Sequence, residues 1–181
     1  MDMFDGVGRR RDESEGALFN LGSNSLNGNE RDCLYRNNGD GTFTDVAYVD
    51  NADRVEDGRG VAILDYDQDG RPDIALRNYK QPAQLLHNVG SEANWLELKL
   101  IGTRSNRDAI GAHVILTAGG LLLMREVHAG SGFQSGSSLV QHFGLGTATA
   151  AEQIRIHWPS GAESVLTDVS ANQLLTVREP S

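Results

Sequence analysis

From Leu34 onward the chain reads as short apolar stretches separated by Asn-Gly, Asp-Gly and Gly-Gly turns, a pattern of strands rather than helices. Trp95-Leu96-Glu97-Leu98-Lys99-Leu100 alternates with period two, which sends Leu96, Leu98 and Leu100 to a core and the charged side chains to solvent. Further strands are predicted over 112–118, 121–128, 139–143, 152–158, 162–167 and 173–178. In the fourth of these Ile154, Ile156 and Trp158 share one face, and Arg155 and His157 the other. The helix candidates are short, such as a turn around 149–152. Strands this short and closely spaced predict an all-β chain whose C-terminal half is an antiparallel β-sandwich or partly open barrel.

The texture divides the chain into a polar N-terminal arm over 1–30, a repeat segment over 31–90 and a β domain over 91–181. The arm is rich in Gly, Asn, Ser and Asp. Leu34-Tyr35-Arg36-Asn37-Asn38-Gly39 is echoed by Leu85-Leu86-His87-Asn88-Val89-Gly90, an offset of 51 residues that suits a propeller blade. A single period cannot close a ring, so the segment is expected to be a partial β-propeller, packed on the following domain or belonging to a longer one.

The strongest chemical signal lies between two apolar runs, in Asp65-Tyr66-Asp67-Gln68-Asp69-Gly70-Arg71-Pro72-Asp73. Alternate residues of a loop around a small sphere point inward. Asp65, Asp67 and Asp69, the carbonyl of Arg71 and Asp73 can therefore offer oxygens to one hard cation, with Gly70 relieving the turn. Calcium fits best, because it takes six to eight oxygens at about 2.3–2.6 Å in a flexible geometry. The loop is not an EF-hand: its twelfth place is Leu76, and its flanks Val61-Ala62-Ile63-Leu64 and Ile74-Ala75-Leu76 are strand-like. A plain acidic turn is the alternative, although crowded carboxylates repel one another without a counterion. The loop holds no evident nucleophile or base, so the ion's role is expected to be structural.

Composition narrows the partners. A formal charge of −9 on 181 residues disfavours nucleic acid and anionic lipid and favours divalent cations or basic partners. The single cysteine, Cys33, cannot form an internal disulfide and is expected to be a small buried hydrophobe. No apolar stretch is long enough to insert into a membrane. The N-terminus lacks the basic and apolar regions of a secretory signal, so any export address is expected outside these residues.

Residues 34–46, then Gly58-Arg59-Gly60-Val61-Ala62 and the acidic loop, resemble the FG-GAP or VCBS repeats of integrin-like propellers. The C-terminal part resembles the ASPIC/UnbV domain in residues 102–112, in Gly130-Ser131-Gly132-Phe133-Gln134-Ser135, in His142-Phe143-Gly144-Leu145-Gly146 and in Ile156-His157-Trp158-Pro159-Ser160-Gly161. The resemblance implies calcium-bound repeats ahead of a C-terminal module, in secreted or cell-surface proteins related to cartilage acidic protein. It maps the calcium ligands onto Asp65, Asp67, Asp69, the Arg71 carbonyl and Asp73. Asn38, Asp40 and Asp45 lack the full ligand series for a second site.

Arg104, Asn106, Arg107 and Asp108 form a charged loop after the first strand of the C-terminal domain. It is either a recognition surface for an acidic glycan or peptide or a loop fastened by its own ion pairs, and the second needs no ligand. His113, His128, His142 and His157 recur at the spacing of one per strand, without the short pairs of a zinc site. The serine-rich run over 130–138 lacks a nucleophile elbow and is expected to be a flexible turn anchored by Phe133. Gly119-Gly120 and Gly144-Leu145-Gly146 read as turns and bulges, and Trp158 as core.

These features predict a noncatalytic, calcium-stabilised module that binds an extracellular or periplasmic protein or carbohydrate. A carbohydrate site requires an exposed aromatic beside a shallow groove. The second expectation is a structural cap on a larger propeller, with an apolar face near Tyr35, Phe43 or Leu86 and self-association. A hydrolase-like enzyme is third, and requires two of the histidines to share a pocket with a carboxylate.

Overall fold

A computed structural model describes residues 30–90 and 92–181, and most of the predicted N-terminal arm lies outside them. Its twelve strands are β1 (Tyr35–Asn37), β2 (Phe43–Asp45), β3 (Gly58–Leu64), β4 (Asp73–Asn78), β5 (Gln84–Leu86), β6 (Asn94–Ile101), β7 (His113–Ala118), β8 (Leu121–Glu126), β9 (Gln141–Gly146), β10 (Ala150–His157), β11 (Glu163–Ser170) and β12 (Gln173–Arg178). The described residues contain no helix and form an all-β structure. The turn predicted around 149–152 instead runs into β10, where Ala151 is buried among the core residues.

The C-terminal strands form two sheets, ordered β11-β10-β7-β8 and β12-β6-β9, around one apolar core. Neither sheet closes into a barrel. Leu96, Leu98 and Leu100 of β6 meet Val114 and Leu116 of β7, Phe143 and Leu145 of β9, and Ile154 and Ile156 of β10, all buried. Each such side chain stabilises the fold by about 1.5–3 kcal/mol relative to exposure. The period-two alternation sorted these positions correctly, and Trp158 closes the core at 3% exposure. One pairing departs from the expected antiparallel arrangement. The last strand, β12, runs parallel to β6, with Gln173 opposite Leu96 and Arg178 opposite Ile101.

Gly119 and Gly120 make the two-residue turn between β7 and β8, both with positive φ (53° and 79°), the conformation that matches a hairpin's twist. The tail beyond β12 is fastened by Glu179. Its carboxylate accepts the backbone N–H groups of Thr103 (2.8 Å), Arg104 (2.8 Å) and Ser105 (2.7 Å), together with the Ser105 and Ser160 hydroxyls. Burial pushes its pKa up, but those hydrogen bonds outweigh burial and hold it well below the usual carboxylate range.

The repeat segment contributes the hairpin β1-β2 and the antiparallel sheet β3-β4-β5. The serine-rich run lies along the free edge of β3 rather than forming a loose turn. Ser135 and Ser137 Oγ accept the Val61 and Ile63 N–H groups at 3.0 and 3.1 Å, and Ser138 N–H donates to the Ile63 carbonyl at 3.0 Å. Main-chain groups of an edge strand need such partners. Phe133 is not the predicted anchor, because it stands 74% exposed and the serines do the fastening. Cys33 is likewise exposed rather than buried, in the segment leading into the β1-β2 hairpin, whose strands are themselves exposed.

Candidate metal centre

The acidic loop is the strand-loop-strand turn predicted: it leaves β3 at Leu64 and enters β4 at Asp73. Its local fold is set by its own carboxylates. Asp65 accepts the N–H groups of Asp69 (3.1 Å) and Gly70 (2.7 Å), and Asp69 accepts that of Arg71 (2.9 Å). The left-handed turns fall at Gln68 (φ 62°) and Gly70 (φ 86°). Asp73 is fully buried beneath the loop and accepts the Tyr66 N–H at 3.2 Å and the Asn88 N–H at 2.7 Å. Burial pushes the Asp73 pKa up, yet the hydrogen bonds from Asn88, Tyr66 and His87 outweigh it and keep the group below its ordinary value.

Carboxylate oxygens of Asp65, Asp67 and Asp73 lie within 4.8 Å of one another, and Asp67 and Asp69 form a second such group with His87. An oxygen-rich donor set of this kind fits a hard divalent cation such as calcium. Asp69 also forms an ion pair with the Arg71 guanidinium, so that side chain offsets part of the loop's negative charge. His87, absent from the predicted ligands, places Nδ1 3.1 Å from Asp73 and Nε2 3.9 Å from Asp67 and packs edge-on against Tyr66. It occupies the third place of the repeat echo of Leu34-Tyr35-Arg36, the signal that could have marked it.

The second face of β6 seats the loop. Trp95 covers Gly70 so closely that a Cβ there would lie 1.9 Å from the indole Nε1. His142 of β9 places Nε2 2.8 Å from the Gly70 carbonyl. Glu97, expected in solvent, is only 7% exposed, on the same face of β6 as the Trp95 that covers Gly70. Beside the seat opens a cleft of about 790 Å³ lined by Asp69, Arg71, Glu92, Trp95, Thr147 and Asn172.

Arg104, Asn106, Arg107 and Asp108 sit together between β6 and β7, all exposed. The loop is held by Asn106, which exchanges hydrogen bonds with Ile110 at 2.8 and 2.9 Å, and by Glu179. Among the described residues no ion pair joins Asp108 to either arginine. Asp40 and Asp45 spend their oxygens on the N–H groups of Thr42, Leu34 and Ala47. Of the histidines, His142 serves the loop seat, whereas His113 stands opposite His157 across β7 and β10, His113 and His128 both lie near Glu126 (3.9 and 3.6 Å), and His157 lies 2.9 Å from Glu163.

In comparison with known families, residues 21–76 match the FG-GAP-like repeat family and residues 102–181 match the ASPIC and UnbV family, in that order along the chain. It is similar to Cartilage acidic protein 1 of Homo sapiens and of Mus musculus, each 31% identical over 151 residues, or 81% of this chain. To Cartilage acidic protein 1 of Xenopus tropicalis it is 43% identical over 60 residues, 33% of the chain and 9% of that relative. The aligned region spans 22% of the human and 23% of the mouse relative.

Proposed function

We propose that this chain is a noncatalytic, calcium-stabilised binding module that acts outside the cytoplasm, extracellularly or in a periplasm. The observation that carries this is the convergence of Asp65, Asp67 and Asp73 in a loop clamped between its own strands and the β6-β9 face. The residues that would hold the ion are Asp65, Asp67, Asp69 and Asp73, with the carbonyl of Arg71. An ion there neutralises their mutual repulsion and fixes the loop, which lowers the ordering cost of recognition. The cleft beside it combines an aromatic wall, Trp95, with the polar groups of Asp69, Arg71 and Asn172, the kind of surface that a carbohydrate or polar peptide engages. The exposed Arg104 and Arg107 supply a second surface suited to carboxylates.

Calcium titration by calorimetry, with thermal unfolding in calcium and in excess chelator, tests the site. The wild type should bind one ion and melt at higher temperature with it, and Asp67→Ala should lose both effects. At calcium a hundredfold above Kd the stabilisation amounts to about 2.7 kcal/mol. Oligosaccharide binding that requires calcium and Trp95 would support the cleft as the recognition surface. Absence of any calcium effect at millimolar concentration refutes the proposal.

A second function, as a structural cap or edge of a larger propeller, is favoured by a separate observation. Tyr35 and Phe43 lie on one face of the β1-β2 hairpin, each 62% exposed. Such a face suits burial against another blade.

A further inference from the structure

The β4-β5 register sets His87 beside the acidic loop. Ile74 stands opposite Leu86, so the residue after β5, His87, falls level with Asp73 at the loop's exit. The imidazole is oriented from two sides. Its Nδ1 lies 3.1 Å from Asp73 Oδ1, and Tyr66 meets the ring edge-on with 5.4 Å between centroids. Asp73 is fully buried and accepts the backbone N–H groups of Tyr66 and Asn88, which favours its ionised form. A carboxylate can only accept, so Nδ1 donates, and in the neutral ring Nε2 presents a lone pair.

It is this second nitrogen that approaches the loop. Nε2 lies 3.9 Å from Asp67 Oδ2, beyond hydrogen-bond range but close to twice a zinc–ligand bond of about 2.0–2.2 Å. With Asp67 and Asp69 the histidine completes a group whose ligand atoms all fall within 4.8 Å of one another, and Asp67 also belongs to the group with Asp65 and Asp73. Charge favours a second ion. The loop's four carboxylates are offset by one guanidinium, that of Arg71 on Asp69, and the three remaining negative charges exceed what one divalent cation neutralises.

We propose that Asp67, Asp69 and His87 form a second cation site beside the calcium position, for a divalent transition metal of the zinc type. Calcium takes oxygen ligands, whereas imidazole suits zinc, and three protein ligands leave a position open for water or for an oxygen of a bound partner. Asp73 then holds the ligating ring through Nδ1, as carboxylates behind metal-bound histidines do. Asp67 and His87 are exposed, so an ion reaches the site from solvent. The zinc site goes beyond the calcium reading and can stand or fall without it.

The test titrates zinc by calorimetry into the full chain in saturating calcium, for wild type and His87→Gln, with calcium titrated separately into both. Wild type should bind zinc. His87→Gln should keep calcium affinity and weaken zinc by more than the about 10–100-fold that loss of a supporting group costs. Long-range proton–nitrogen NMR of the wild type gives a readout independent of the variant: the His87 Nε2 resonance should move on zinc binding while Nδ1 keeps its proton. Zinc bound with wild-type affinity by His87→Gln, or a His87 Nε2 resonance unmoved while zinc binds the His113, Glu126 and His128 surface or another place, would overturn the site and leave the calcium reading standing. His87-dependent zinc binding without calcium binding at millimolar concentration would support the zinc site and refute the calcium reading alone.

Discussion

Gly70→Ala is expected to be among the most damaging single-methyl additions to this protein, for two separable reasons. The residue sits at φ 86°, and a side chain in left-handed backbone costs about 1–2 kcal/mol. Its new Cβ would also fall 1.9 Å from Nε1, 2.1 Å from Cδ1 and 2.2 Å from Cε2 of Trp95. Relief requires the indole to move off its seat, an overpacking cost of about 1–3 kcal/mol. The sum is about 2–5 kcal/mol, or about 4–20 °C of Tm for a chain of this size. Gly161→Ala is the matched control, since Gly161 has φ 87° and nothing within 4 Å of its added Cβ. The two variants therefore share the backbone term and differ in the clash. Thermal unfolding of both, with Trp95→Ala alone and combined with Gly70→Ala, isolates the clash as a coupling energy. Trp95 fluorescence should also shift, while the core residue Trp158 should not. Equal losses from Gly70→Ala and Gly161→Ala, with no coupling to Trp95, would refute the proposed seating of the loop.

Two further outcomes follow from other parts of the fold. Glu179 has a folded pKa depressed below its unfolded value of about 4.3, so its stabilising effect is fully present above that value and is lost as pH falls toward the folded value. Glu179→Gln should therefore be less stable than wild type at pH 7, with the gap narrowing below about pH 4 in pH-resolved denaturation; a gap independent of pH would remove the carboxylate from the explanation. If the Tyr35 and Phe43 face is a packing edge, sedimentation should show concentration-dependent self-association that Tyr35→Ser with Phe43→Ser abolishes. A strictly monomeric wild type would count against that role.

Local sequence determined the features whose causes lie within one element or one loop. Alternation in β6 and β10 identified the core positions, because strand geometry sends alternate residues to opposite faces. The spacing of the loop's acids pointed to the candidate cation loop, because the turn itself brings Asp65, Asp67 and Asp73 within 4.8 Å of one another; Asp69 groups instead with Asp67 and His87. Tertiary structure decided what covers the second face of each element, which periodicity leaves open. Glu97 looks like a solvent position by its alternation, yet it is only 7% exposed on the face of β6 from which Trp95 meets the loop. The serines of 130–138 look like a linker until the bare edge of β3 supplies them with amides to bind. Glu179 and the 103–105 amides, like Trp95 and Gly70, are far apart in sequence and meet only after the sheets form. A period can show which way a side chain points; packing determines whether water, a carboxylate or another strand lies in that direction.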